Sequence, residues 1–103
     1  MTSSSDFTEI ALRLGGTTAA PHFDRTAFKV RRIYATLAAD GLTANLKLTP
    51  DEQEFKVLLA PDSFAAVPGG WGRQGWTTVT LAAMTREELA AALELAWRHA
   101  LKN

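Results

Sequence analysis

The sequence predicts a two-layer α+β domain, with an antiparallel sheet and helices packed on one face. Two observations lead there. Three segments open with helix-start signals and carry apolar residues at helical spacing, while the stretches between them alternate apolar and polar residues as half-buried strands do. The resulting order is α-β-β-β-α-β-β-α. A chain of 103 residues suits one domain, 1–103, able to bury roughly two thirds of its unfolded surface. Residues 1–5 are expected to form a disordered tail.

Each element has its own justification. Asp6 or Ser5 is a candidate cap for the first helix, Glu9 stands three places after Asp6, and Phe7, Ile10, Ala11 and Leu14 share one face. Gly15-Gly16 ends that helix, because glycine takes the left-handed conformation found just past many helix ends. Residues 17–21 read as a loop. Strands follow around Phe28 and Val30, then Ile33, Ala35 and Leu37, then Ala44, Leu46 and Leu48, each run alternating with polar or small residues. Asp40-Gly41 has hairpin-turn chemistry, and Asp24-Arg25-Thr26 is a weaker candidate for an earlier turn.

Thr49, Pro50 and Glu52 together announce a second helix, whose buried stripe is expected to be Phe55, Leu58 and Leu59. Pro61-Asp62 stops it. A short strand over 64–67 leads into Pro68-Gly69-Gly70-Trp71-Gly72-Arg73-Gln74-Gly75-Trp76, where glycines permit unusual backbone and tryptophans hold large aromatic surfaces. Such a loop has the composition of a functional one. It opens into the strand ending at Leu81. Thr85 and Glu88 box the start of the last helix, along which Leu89, Ala92, Leu93, Ala96, Trp97, Ala100 and Leu101 recur at helical spacing. Trp97 is thereby expected in the core.

Composition removes several function classes. No apolar run approaches the roughly 20 residues that cross a bilayer, and the first residues lack the pattern of a signal peptide, so a cytoplasmic protein without membrane association is expected. The absence of cysteine excludes disulfides, thiol nucleophiles and cysteine zinc sites. Eleven basic residues balance eleven acidic ones, so any nucleic-acid binding must come from local patches.

Several segments together resemble the MmcQ/YjbR-like family. They are Phe28-Lys29-Val30-Arg31-Arg32-Ile33-Tyr34-Ala35-Thr36-Leu37, Ala44-Asn45-Leu46-Lys47-Leu48-Thr49-Pro50-Asp51-Glu52-Gln53 and Trp71-Gly72-Arg73-Gln74-Gly75-Trp76-Thr77-Thr78-Val79, followed by Glu88-Leu89 and Ala96-Trp97. The likeness covers nearly all of the chain beyond the first helix. It implies a small bacterial α+β fold similar to that of secretion chaperones, a double-wing arrangement and a DNA-binding role, although fold by itself does not assign function. The chain departs from many relatives before the second tryptophan: Gly72-Arg73-Gln74-Gly75 stands where they carry an asparagine-lysine pair and a histidine.

Catalytic chemistry is not visible. His22 and His99 lie far apart and in no metal motif, and His99 suits the negative end of a helix. Asp51, Glu52 and Glu54, like Glu87 and Glu88, crowd first helical turns, where the helix dipole stabilises negative charge. Neither a Gly-x-Ser-x-Gly elbow nor a phosphate-binding loop is present. The expectation is a non-enzymatic protein with no cofactor and no metal.

Cations make the stronger case. Arg25, Lys29, Arg31, Arg32 and Lys47 gather in the first strands, while acids concentrate on helices. Strand alternation then places Tyr34, Thr36, Asn45, Lys47, Trp76 and Thr78 on the face away from the helices. A putting-together of these signals makes Lys29, Arg31, Arg32, Lys47 and Arg73 candidate phosphate contacts, with Tyr34 and Trp76 as stacking or apolar contacts to DNA or other nucleic acid. The alternative is a protein-interaction or chaperone-like module, including a homodimer, that uses the open sheet face and the loop from Trp71 to Trp76. Basic residues on an open sheet also serve solubility alone.

Overall fold

The computed structural model describes residues 1–102. The elements run α1 (Ser4–Arg13), β1 (Thr18–His22), β2 (Arg25–Lys29), β3 (Ile33–Leu37), β4 (Thr43–Lys47), α2 (Pro50–Leu59), β5 (Phe64–Ala66), α3 (Gly70–Arg73), β6 (Trp76–Thr80) and α4 (Arg86–Leu101). A 3-10 turn over Leu81–Ala83 precedes α4. All six strands pair antiparallel in one sheet of order β1-β2-β3-β4-β6-β5. Helices α1, α2 and α4 cover one face, so the two-layer α+β architecture holds.

Side-chain chemistry starts each long helix. Ser3 with Asp6, Thr49 with Glu52 and Thr85 with Glu88 form complete capping boxes that satisfy first-turn N–H groups. Helix α1 therefore begins earlier than the sequence predicts, with Ser3 as its cap. Residues 1–5 are not a loose tail: the Thr2 hydroxyl donates to the Leu81 carbonyl at 2.6 Å and Thr2 is buried. Beneath α1 the Phe7 ring meets Phe28 edge-on at 5.4 Å, a favoured aromatic geometry at the centre of the core.

A sixth strand, β1, replaces the expected loop at 17–21. Its residues are all exposed, and Pro21 is tolerated because an edge strand leaves half of its backbone groups unpaired anyway. Exposure on both sides also erases the alternation that reveals a strand in sequence. The β1–β2 hairpin turns at Phe23-Asp24, between the paired residues His22 and Arg25.

Tyr34 requires a second correction. Phe28 pairs with Ala35 and Lys29 with Ile33, so Tyr34 is the extra residue of a β-bulge on β3. The bulge breaks the alternation and carries Tyr34 into the helical layer, where it is 0% exposed. Its phenol lies 2.9 Å from the Thr17 hydroxyl and donates to the Ala11 carbonyl at 3.4 Å. Burial pushes its pKa up, against the opposing effect of the Thr17 bond.

Helix α2 is rotated relative to expectation. Phe55, Leu58 and Leu59 are 61%, 78% and 66% exposed, and the helix has no fully buried residue. Its inner stripe consists of Glu52, Gln53, Lys56, Val57 and Ala60, which are half-buried. Tertiary hydrogen bonds determine this orientation. Gln53 Nε2 donates to the Gly72 and Trp76 carbonyls at 3.0 and 2.9 Å, and Lys56 lies over the Phe64 ring. Trp97, expected in the core, is half-buried at its rim and donates its indole N–H to the Gly15 carbonyl.

Two loop glycines are required by close backbone approach. A Cβ on Gly72 would stand 1.8 Å from the Val67 carbonyl oxygen, and one on Gly75, at φ +108, would stand 1.9 Å from that of Leu48. A Cβ on Gly70 would make only ordinary contact. In urea unfolding, Gly72→Ala is expected to destabilise the protein by about 3 kcal/mol or more through forced backbone displacement. Gly70→Ala should change stability by no more than about 1 kcal/mol. Equal midpoints for the two variants would contradict this account of the loop.

Candidate functional site

The face of the sheet away from the helices carries a floor of small and short polar side chains. Register aligns Ala20, Ala27, Thr36, Asn45, Thr78 and Ala65 in one row across all six strands. Short side chains make the row low, and the elements at its sides rise above it. The Thr78 hydroxyl donates to Asn45 Oδ1 at 2.8 Å, and Arg25 donates through Nε to the Thr36 hydroxyl at 2.9 Å. A cleft of about 260 Å³ lies here, bordered by His22, Phe23, Asp24, Arg25, Val67, Trp71 and Trp76 as well as Thr36 and Asn45.

Its aromatic walls come from two directions. Trp71, on α3, is 65% exposed, whereas Trp76 is half-buried at the start of β6. Across the cleft, Phe23 is 94% exposed at a hairpin tip with φ 59, a left-handed conformation that a bulky residue rarely adopts. Its ring meets His22 edge-on at 4.9 Å. Sequence reasoning did not select Phe23 because it read residues 17–21 as a loop and set the candidate turn one residue later, at Asp24-Arg25-Thr26. The adjacent Phe23-Asp24 pair between two short runs was the available signal.

Charge is layered. No strand contains a carboxylate, and every Asp and Glu lies on a helix or in a turn. Arg25, Lys29 and Lys47 stand on strands of this face, by register on the same side as the floor row. Among the described residues neither they nor Arg73 has a carboxylate within ion-pair distance. Helical cations behave differently: Arg86 bridges Asp6 and Glu9, and Arg98 pairs with Glu94 at 2.6 Å.

The predicted site residues thus divide. Lys29, Lys47 and Trp76 share the open face. Arg31 is exposed in the turn between β2 and β3. Arg32, from the same turn, reaches the end of α4 and donates to the His99 and Lys102 carbonyls, both at 2.9 Å. Both carbonyls lie at the helix end, where His99 otherwise accepts only the Lys102 N–H at 3.3 Å, so Arg32 caps α4. Arg73 is exposed but sits two positions from Trp71 on α3, a spacing that turns it to the opposite side of that helix. Tyr34 is inside the core. Lys47 and Trp76, which pair across β4 and β6, also border a second hollow of about 130 Å³ near the last turns of α4.

Behind the cleft, Gln53 and Thr77 hold the glycine-tryptophan loop. Gln53 Nε2 also reaches the buried Thr77 hydroxyl at 3.2 Å, and that hydroxyl donates to the Gly75 carbonyl at 2.9 Å. Beside Gln53, the Glu52 carboxylate accepts from the Thr49 backbone N–H at 3.0 Å and from His99 Nε2 at 2.9 and 3.0 Å. Partial burial raises the Glu52 pKa, but the Thr49 and His99 interactions outweigh it and hold the carboxyl below its ordinary value. His99 therefore ties α4 to α2. Among the described residues, no group of three His, Asp or Glu side chains could hold a metal ion, and no helix is long and apolar enough to cross a membrane.

Fold and site together define a two-layer α+β domain whose open sheet face carries an aromatic, carboxylate-poor cleft. The YjbR family model matches residues 12–99, and the chain belongs to the YjbR family. It is similar to the crystal structure of the Deinococcus radiodurans protein DR2400, which has a domain of family DUF419, with a TM-score of 0.85 and 25% identity. That likeness covers 100% of this chain and 81% of the other. No curated protein matches the sequence.

The Glu52 geometry gives a pH dependence of defined sign. A folded pKa below the unfolded one contributes stability that is fully present above the ordinary glutamate pKa of about 4.3 and lost as pH falls through the folded value. Glu52→Gln should reduce stability by about 1 kcal/mol at neutral pH and flatten the acid limb of a urea-midpoint profile. An unchanged acid limb would show that Glu52 is not linked to folding in this way.

Proposed function

We propose that the open sheet face is a non-enzymatic binding surface for single-stranded nucleic acid. The observation that carries this reading is the cleft between Trp71, Trp76 and Phe23 on a face whose strands hold cations and no carboxylate. Every base has a π-face, so exposed aromatic rings accept unpaired bases with little regard to sequence. Trp71 and Phe23 are the exposed rings, with Trp76 beneath them at the sheet. In this reading Lys29, Lys47 and Arg25 neutralise phosphates along the strand.

Size and polarity also favour a single base over a bulky cofactor. The cleft volume of about 260 Å³ lies below the usual range of roughly 300–1,000 Å³ for small-molecule pockets. Asn45, Thr36 and Thr78 supply amide and hydroxyl groups for a base edge, although their present hydrogen bonds leave only part of that capacity free. A duplex would keep its base faces stacked and leave the aromatic walls unused. The occupation of Arg32 by α4 further weakens a reading in which the β2–β3 turn grips duplex phosphates.

Titration of a single-stranded oligonucleotide, followed by tryptophan fluorescence, tests the proposal. Binding is expected to weaken about 5- to 100-fold in Trp71→Ala, equivalent to about 1–3 kcal/mol for one lost stacking contact. Lys29→Ala and Lys47→Ala should each lower the salt slope by about 0.7, the value for one phosphate contact on a single strand. Arg32→Ala should affect stability and leave the salt slope unchanged. No binding at low salt, or equal affinity for duplex and single strand with no response to Trp71→Ala, would overturn the reading.

A further inference from the structure

The outward face of α2 is unexplained by the cleft. Phe55, Leu58 and Leu59 expose together about 400 Å² if each side chain presents roughly 200 Å² in full. Their orientation is not adjustable by a simple roll of the helix. Thr49 and Glu52 fix its start, His99 holds Glu52, and Gln53 is bonded to the glycine-tryptophan loop. Turning the apolar stripe inward would strip these polar groups of their partners, at a desolvation cost of about 1–3 kcal/mol for each one left buried.

We propose that this face is a homodimer interface, with α2 of one copy packed antiparallel against α2 of the other about a two-fold axis. Area is the first argument. The apolar patch supplies about half of the roughly 800 Å² that each partner contributes to a standard interface, a fitting size for an apolar core inside a polar rim. Shape is the second. Beside Leu58 a groove of about 410 Å³ runs between α2 and β5, lined by Gln53, Glu54, Val57, Leu58 and Ala66. Projecting side chains and receiving groove are contiguous, so one two-fold operation places the projection of each copy against the groove of the other.

The antiparallel arrangement keeps identical carboxylates of α2 apart. With the helices crossing at Leu58, the two Glu54 residues are offset by about 12 Å along the helix axis and the two Asp51 by about 21 Å, from a rise of 1.5 Å per residue. Both separations exceed the Debye length of about 8 Å in physiological salt. A parallel pair would set the same carboxylates side by side. The net charge of +0 adds no general repulsion between copies. This proposal is independent of nucleic-acid binding, because the patch and the cleft share no residue.

Light scattering across a concentration series provides the test. The wild-type chain is expected at twice the mass of one chain, and Leu58→Glu should raise the dissociation constant at least 30-fold. Leu12→Glu, at an exposed position of α1, should leave the dimer intact. Circular dichroism and the thermal midpoint check that Leu58→Glu remains folded. The absence of cysteine allows a second readout that tolerates a weak dimer: Leu58→Cys should form a disulfide-linked dimer under mild oxidation far faster than Leu12→Cys. A wild-type monomer at about 0.5 mM, which is also what an interface reserved for a different protein would give, overturns the proposal. So does equal cross-linking of the two cysteine variants.

Discussion

The Gln53 carboxamide is the interaction on which the rest of this structure depends. Its bonds to the Gly72 and Trp76 carbonyls satisfy backbone acceptors in the short helix α3 and at the start of β6. They place the middle and the end of the glycine-tryptophan loop at once, and hence the Trp71 and Trp76 walls of the cleft. The same bonds draw that side of α2 inward and send Phe55, Leu58 and Leu59 toward solvent. One polar contact therefore joins the two surfaces of interest, one aromatic and one aliphatic, on different parts of the molecule.

Close packing does the remaining positioning. Gly72 and Gly75 let the loop backbone approach Val67 and Leu48 at distances no other residue permits. On the far side of the cleft, the β1–β2 hairpin presents Phe23 in a conformation that a phenylalanine rarely holds. Strained aromatic residues at exposed tips require support from the surrounding structure, and here β1 pairs with β2 along its whole length. The bulge on β3 completes the arrangement by removing Tyr34 from the open face, which leaves a floor of alanine, threonine and asparagine low enough for a ligand to enter.

A neutral chain thereby acquires a polar organisation. Carboxylates serve helix starts and helix-to-helix bridges, as with Glu52, Asp6 and Glu88, while the strands carry only cations. Not every arginine belongs to the resulting surface. Arg32 is drawn to the carbonyls at the end of α4, whereas Arg25 is held against Thr36 on the open face itself. What reaches the open face is set by which cations find internal acceptors first.

Capping residues, turn chemistry and hydrophobic period were local signals, and they were legible: Thr49 with Glu52, Thr85 with Glu88, Asp40-Gly41 and the alternation of β4 and β6 all read correctly from the chain. The weight of glycine and tryptophan also marked the right loop. Three of the features that were not legible share one reason. The bulge that buries Tyr34, the rotation of α2 and the diversion of Arg32 depend on partners in other elements, β2, the loop of residues 70–76 and α4 respectively. A strand's period assumes regular pairing, and a helix's apolar stripe assumes that burial alone chooses its face. The sequence by itself determined the three long helices and the strands with an alternating pattern, but not β1 or α3. Only the tertiary structure decided which way they turn, because backbone carbonyls in a loop and at a helix end take donors from other elements, and here those donors were Gln53 and Arg32.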